Sequence, residues 1–360
     1  DRHEVLRANI VTCIQHPLQV IRRQLELPFT YLDWAGIAEQ GAAVDSWAEA
    51  DLRKGFDLQH DPLLRLAVIR TSEASCHLVF TSHHILMDGW SNAQLLAEVL
   101  QAYAGVPNGG VTGRYRDYIE WLQRQDAGQA QAFWQQQLHD LNEPTRLALA
   151  IRQDKARLGT GYGEHQQRLS EQQTQALAAF ARQQRVTVNT LVQAAWLLLL
   201  QRYTGQSCVS FGATVSGRPA ELRGVEQQLG LFINTLPVVA NPRPQQRVAQ
   251  WVQQLQVQNL ALREYEHSPL YDIQRWAGSG GEGLFDTLLV FENYPVGDAL
   301  QQGAPAGLVF GNVRGHEQSS VPLTLAIGAG THLSVHYSYD RQCFTQESIA
   351  QIARHFGTLL

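Results

Sequence analysis

The sequence predicts an α+β protein of two lobes, and three observations carry that prediction. Strand-like and helical segments are interleaved without the strict alternation of a parallel βαβ fold. The chain has 360 residues, more than a single core usually serves. Periodicity is also interrupted once over a long stretch, residues 140–163, where Pro144 and the glycines Gly159, Gly161 and Gly163 fall. The expected division is therefore 1–163 and 164–360, each lobe with largely antiparallel or mixed sheets.

The elements follow in order. Apolar, β-branched runs at 18–21, 64–69, 77–81, 208–215, 284–291 and 333–339 read as strands. Residues 93–103 carry apolar positions at helical spacing behind Ser91, a plausible cap. Residues 116–138 read as one long amphipathic helix marked by Trp121, Phe133 and Trp134. Ser170 with Gln173 forms a capping-box pattern that opens a helix to about 184. A further helix at 189–203 is stopped by Gly205. Helical patterns at 245–264 and 346–360 complete the set. The glycine-rich runs 278–283 and 297–311 read as functional loops or crossovers. No period of 20–50 residues indicates a solenoid.

Composition excludes several classes of function. With 44% hydrophobic and 17% charged residues, the chain can build a real core. Net charge is −5, and Lys54 and Lys155 are the only lysines. No basic stripe interleaved with aromatics appears, so nucleic acid is not an expected partner. The longest apolar run, 194–200, is far too short to span a bilayer. Cys13, Cys76, Cys208 and Cys343 show no CxxC spacing, which fits reduced thiols in the cytoplasm and neither a zinc site nor a disulfide framework. The opening Asp1-Arg2-His3-Glu4 is charged and is not read as a signal peptide; the chain is expected to open inside a domain.

Chemistry concentrates in Ser82-His83-His84-Ile85-Leu86-Met87-Asp88-Gly89-Trp90-Ser91. Two histidines leave a strand end, and an Asp-Gly pair follows before the next helix. Imidazole changes charge near neutral pH, so a histidine reaching into a cleft there suits proton transfer or the orientation of an amine. A buried Asp so close requires a partner. A histidine pair on an apolar turn is more often structural than catalytic, so the residues alone leave the role open. Other chemistries lack their motifs: there is no HExxH and no cluster at metal-ligand spacing, so no metal is expected. There is no GxSxG nucleophile elbow. The run 278–283 matches GxGxxG but follows a helix-like segment and not a strand, so it reads as a loop.

The His83–Gly89 turn resembles the HHxxxDG motif of condensation domains of nonribosomal peptide synthetases, shared with epimerization domains and more loosely with chloramphenicol acetyltransferase. Further segments match in the family's order. Arg2-His3-Glu4-Val5-Leu6-Arg7 is similar to RHExLR, and Tyr115-Arg116-Asp117-Tyr118-Ile119-Glu120-Trp121 to YxDYAxW. Gly230-Leu231-Phe232-Ile233-Asn234-Thr235-Leu236 is similar to GxFxNTL, and Glu266-His267-Ser268-Pro269-Leu270 to the family's short region before the bridging loops. The family's SxAQxRLW-like opening segment is absent. A cyclization domain would carry DxxxxD at the turn, which disfavours that subtype.

The resemblance implies two chloramphenicol-acetyltransferase-like lobes forming a V-shaped pseudo-dimer around a central tunnel. It implies amide-bond formation between a donor and an acceptor aminoacyl thioester. Each would arrive on the 4'-phosphopantetheine arm of a peptidyl carrier protein, with no cofactor held by the domain itself. An adenylation domain is the expected neighbour in a larger chain. By matching position His84 is the active-site histidine, taking a proton from the acceptor amine or holding it. Gly89 offers its N–H to the developing oxyanion. Asp88 shapes the turn through an ion pair, with Arg218 in Ser216-Gly217-Arg218-Pro219 as its expected partner from the second lobe. His83 and Trp90 are structural. Asn234 and Ser320 are candidates for the tunnel lining, although a satisfied structural Asn at a strand end fits Asn234 equally. The stretch 297–320, with a strand-like 308–313, is the expected crossover to the first lobe. Residues 215–222, 230–237 and 291–295 resemble domains that accept a D-configured donor and an L-configured acceptor. Two rivals stand beside this reading: an epimerization domain, and a catalytically silent domain of the same fold that recruits a partner enzyme.

Overall fold

The computed structural model describes residues 2–12, 17–107, 109–110, 113–151, 157–278, 283–292, 300, 305, 307–311, 313–315 and 320–360. Cys13, most of the 278–283 run, most of 297–320 and Asn293-Tyr294-Pro295 lie outside these residues. Packing divides the chain differently from the expected 1–163 and 164–360. One compact unit comprises Asp1–Gln123, Arg218–Phe232 and Asp298–Phe310. The other comprises Arg124–Gly217, Ile233–Gly297 and Gly311–Leu360.

In the first unit, strands β1 (Ala8–Val11) and β2 (Leu18–Ile21) pair antiparallel. Strands β3 (Phe29–Asp33), β4 (Leu64–Arg70) and β5 (Cys76–Ser82) form a mixed sheet, with β3 parallel and β5 antiparallel to the central β4. A helix at Gln40–Arg53, not expected from the sequence, precedes β4. The helix after β5 begins earlier than Ser91 would set it. It runs Gly89–Tyr103, and Asp88 is the cap, its carboxylate accepting the Ser91 N–H. A carboxylate at this end also meets the positive pole of the helix.

The single helix expected at 116–138 is two helices, Tyr115–Gln123 and Ala127–Gln137. Asp126 breaks it: its side chain accepts the N–H groups of Gly128 and Gln129 and starts a new helix. The change of unit falls at this break, between Gln123 and Arg124.

In the second unit a six-stranded sheet has the order β6–β11–β10–β9–β7–β8. The strands are β6 (Tyr162–Arg168), β7 (Val209–Val215), β8 (Asn234–Ala240), β9 (Thr287–Glu292), β10 (Leu323–Gly328) and β11 (Ser334–Asp340). β9 runs parallel to both neighbours, and the other pairs are antiparallel. The helix Val188–Thr204 is buried along most of its circumference, which explains its leucine run. Thr187 caps it, and Gly205 ends it in the left-handed region at φ 73°, where a Cβ would be strained. The Ser170–Gln173 capping box forms as expected at the start of helix Glu171–Gln184. The final helix Gln346–Leu359 lays Ile349, Ile352 and Phe356 into the core, with Phe356 edge-on to Trp196.

The strand expected within 308–313 is not formed among the described residues: Leu308, Val309, Phe310, Gly311 and Val313 carry no strand. Val309 is 94% exposed there, and a β-branched side chain in solvent has no sheet surface to pack on.

Candidate active site

Strand β5 ends at Ser82, and the residues from there to Ser91 form the candidate site. The turn is anchored first at His83, whose N–H donates to Leu63 O at 2.9 Å. The His83 carbonyl accepts the Leu86 N–H at 3.1 Å, and its Nδ1 accepts the Ile85 N–H at 3.1 Å. Its ring stands edge-on to Phe56 with centroids 6.2 Å apart. Burial pushes the His83 imidazole below its usual pKa, and the neighbouring His84 adds to this. Leu86 and Met87 are buried with Ala8, Leu63 and Leu64. Burying two such side chains stabilises the turn by about 1.5–3 kcal/mol each. Between these anchors His84 is exposed.

The far end of the turn is held by Asp88, which is buried. Its Oδ1 accepts from the Ser91 N–H at 2.8 Å and lies 3.4 Å from Arg218 Nη2. Its Oδ2 accepts from the Phe232 N–H at 3.1 Å, and its own N–H donates to Gly230 O at 3.1 Å. Arg218 follows β7 in sequence yet packs in the same unit as Asp88. Its Nη1 donates to Val225 O and Gln228 O, and its Nη2 donates to Ser91 Oγ at 2.9 Å. The guanidinium lies 4.0 Å from the Phe232 ring centroid and 5.4 Å from that of Trp90. The indole N–H of Trp90 donates to Glu226 O at 3.0 Å, so Trp90 anchors the same segment.

Gly89 is exposed at the first helical position, where its N–H has no acceptor within the helix. A Cβ built there meets nothing within 4 Å. The YxDYAxW-like helix contributes Tyr115, whose hydroxyl donates to Leu231 O at 2.7 Å. Burial pushes this phenol far above its ordinary pKa, so it is a fixed donor at any working pH. Arg2 and His3 both reach Glu98 on the helix behind the turn, at 3.0 and 2.7 Å.

Asn234 belongs to the second unit. Its amide donates to Glu266 O at 2.9 Å and Ser268 O at 2.7 Å, while its Oδ1 accepts the Thr235 N–H at 2.8 Å. These bonds tie the GxFxNTL-like and Glu266–Leu270 segments to each other. Ser320 is exposed ahead of β10. Sequence reasoning missed two members of the Asp88 cluster, the Ser91 hydroxyl and the Gly230 backbone. Gly230 opens the GxFxNTL-like segment and Ser91 lies two residues beyond the HHxxxDG-like turn; the missing signal was their proximity, which no spacing encodes.

Among the described residues no group of three or more His, Cys, Asp or Glu side chains is placed to hold a metal ion. Among them, too, no helix is long and apolar enough to cross a membrane.

A family model described as "Condensation domain" matches residues 1–360. The chain belongs to the condensation-domain family. Relatives of this condensation domain include a linear gramicidin synthase of Brevibacillus parabrevis, 38% identical over 370 residues, with 100% of this chain and 7% of the relative covered. Chondramide synthase cmdD of Chondromyces crocatus is 34% identical over 363 residues, with 97% of this chain and 9% of that protein covered. The chain thus spans less than a tenth of the length of these curated relatives. Among solved structures, a four-domain nonribosomal peptide synthetase bound to AMP and glycine superposes with a TM-score of 0.83 at 19% identity, over 99% of this chain and 29% of that one. The first condensation domain of the calcium-dependent antibiotic synthetase, in complex with a substrate analogue, superposes with a TM-score of 0.75 at 18% identity, over 99% and 84%. At these identities the likeness is one of fold. The mixed α/β architecture of this condensation domain is therefore the chloramphenicol-acetyltransferase-like fold of the family.

Proposed function

We propose that this condensation domain joins a donor acyl thioester to an acceptor aminoacyl thioester, both carried on phosphopantetheine arms of carrier proteins. The observation that carries this reading is the HHxxxDG turn itself: His84 is exposed while Leu86, Met87 and Asp88 beyond it are buried. An imidazole presented on an anchored turn can meet a substrate without reorganising the fold.

The acceptor amine attacks the donor thioester carbonyl. A C–N bond forms, the C–S bond breaks, the donor arm leaves as its thiol, and the amine gives up a proton. His84 takes that proton or holds the amine for attack. Gly89 offers a backbone N–H, unused by its helix, to the oxyanion of the tetrahedral intermediate. Bringing both thioesters to one histidine makes the reaction effectively unimolecular, which supplies much of the acceleration. The partners are donor and acceptor carrier proteins, with an adenylation domain as neighbour in a larger cytoplasmic synthetase; the names and lengths of the relatives support the larger synthetase chain. The finer reading is a D-donor, L-acceptor subtype, supported by the wording of 215–222 and 230–237.

The test is a single-turnover assay with loaded donor and acceptor carrier proteins, read by mass spectrometry. Wild-type chain should form the dipeptidyl thioester and His84→Ala should not, with its fold unchanged. Amide formation by His84→Ala at the wild-type rate would remove the reading. Parallel assays with D- and L-configured donors decide the subtype, which a faster L-donor would overturn.

A further inference from the structure

We propose that Ser91 is a positioning residue for His84, acting through its hydroxyl as the junction between the histidine turn and the segment Arg218–Phe232. The proposal rests on the reading of His84 given above.

Ser91 is fully buried, on the first turn of the helix that Asp88 caps. A buried serine on a first helical turn has an ordinary role there, as a small residue that packs closely. This one does more, because its hydroxyl is engaged on both sides. It donates to Gly230 O at 2.9 Å, and accepts from Gly230 N–H at 3.1 Å and from Arg218 Nη2 at 2.9 Å. One proton and two lone pairs are the whole capacity of a hydroxyl, and all three are used. The Gly230 carbonyl thereby takes two bonds from the turn, one from Ser91 Oγ and one from the Asp88 N–H.

The two segments are 139 residues apart in sequence, so the bond pair between Ser91 and Gly230 is a tertiary lock and not a local turn. Gly230 is also packed closely against the Tyr115 ring. A Cβ at Gly230 would stand 2.2 Å from Tyr115 Cδ2, so the backbone has no room to shift toward that ring. With the hydroxyl removed, Gly230 N–H and Arg218 Nη2 each lose an acceptor in a buried site. The Asp88 carboxylate then has to serve Arg218 while capping the helix. The turn's far anchor loosens, and with it the placement of His84, four residues before Asp88. Small displacements of a group that positions reactants cost large factors in rate.

The expected signature is a loss in turnover and not in carrier binding. In the chain with any flanking domains it naturally carries, Ser91→Ala should lower the single-turnover rate at saturating carrier proteins at least tenfold. The carrier concentration giving half-maximal rate should stay within twofold. Ser91→Thr, which keeps the hydroxyl, should recover at least half of the wild-type rate. Rates are taken per folded molecule, well below each variant's melting temperature.

Ser91→Ala at the wild-type rate, with His84→Ala inactive, overturns the positioning role and leaves the proposed function intact. His84→Ala at the wild-type rate instead overturns the reading of the site on which this one rests. If Ser91→Ala does not fold, Ser91→Cys carries the test, because a thiol fills the site with a much weaker donor. A slow, folded Ser91→Cys supports the role. A wild-type rate, or failure of both variants to fold, overturns it in favour of a purely structural serine.

Discussion

Arg218 Nη2 lies 3.4 Å from Asp88 Oδ1 across 130 residues of sequence, and both side chains are buried. The pair is not isolated. The carboxylate also accepts the N–H groups of Ser91 and Phe232, and the guanidinium is shared among two carbonyls, a hydroxyl and two aromatic faces. Removing the carboxylate leaves a buried cation and two backbone donors without it. Asp88→Ala is therefore expected to lose about 3–5 kcal/mol of stability. Reversible chemical denaturation checks this; a midpoint equal to wild type would mean that the pair contributes specificity and little stability.

Gly230 is expected to tolerate no side chain. Its Cβ would overlap the Tyr115 ring, whose hydroxyl is already committed to Leu231 O. Overpacking of this kind typically costs about 1–3 kcal/mol. Gly230→Ala should lower the melting temperature. Combined with Tyr115→Ala, the loss should be smaller than the sum of the two single losses, because the colliding ring is gone. Strict additivity would show that the two positions do not meet.

His83 predicts a pH dependence. Burial and the neighbouring His84 hold its folded pKa below the ordinary value of about 6.5. The folded chain then binds fewer protons than the unfolded chain between those two pKa values, so stability rises with pH in that window. It is complete above about 6.5 and is lost as pH falls through the folded value. His83→Gln keeps an acceptor for the Ile85 N–H but cannot titrate. Its melting temperature should fall less steeply than that of wild type between about pH 7 and 5. An unchanged slope would place the dependence on another group. His83→Ala should lower stability, whereas His84→Ala should leave it nearly unchanged.

Asn234 spends its amide on Glu266 O and Ser268 O and its carbonyl on the Thr235 N–H. Asn234→Ala strands those groups and should cost about 1–3 kcal/mol. Asn234→Asp should cost at least as much, because a carboxylate faces two carbonyls without a proton to give. Denaturation midpoints decide this. Wild-type stability in both variants, with altered turnover, would instead favour a role in lining the substrate path.

The family and the local frame of the candidate site were legible in the sequence because both are local. A strand end, two histidines, an Asp-Gly pair and a helix start lie within ten residues, and strand or helix periodicity needs no knowledge of neighbours. Arg218 could be named as the partner of Asp88 because a buried carboxylate demands a cation and its segment matches the family's wording. Tertiary structure decided what depends on pairing. β6 is a mostly polar strand that exists because seven of its residues pair in register with β11. β8 accommodates Pro237, since as an edge strand it has one side that needs no N–H donors. Asp88 displaced Ser91 as the helix cap, which freed the Ser91 hydroxyl for Gly230 and Arg218. The segment Arg218–Phe232 joined the unit of the histidine turn although its sequence neighbours belong to the other. Hydrophobic period and turn chemistry are written residue by residue, whereas the partner of a buried hydroxyl, an edge strand or a guanidinium is settled only when distant segments meet.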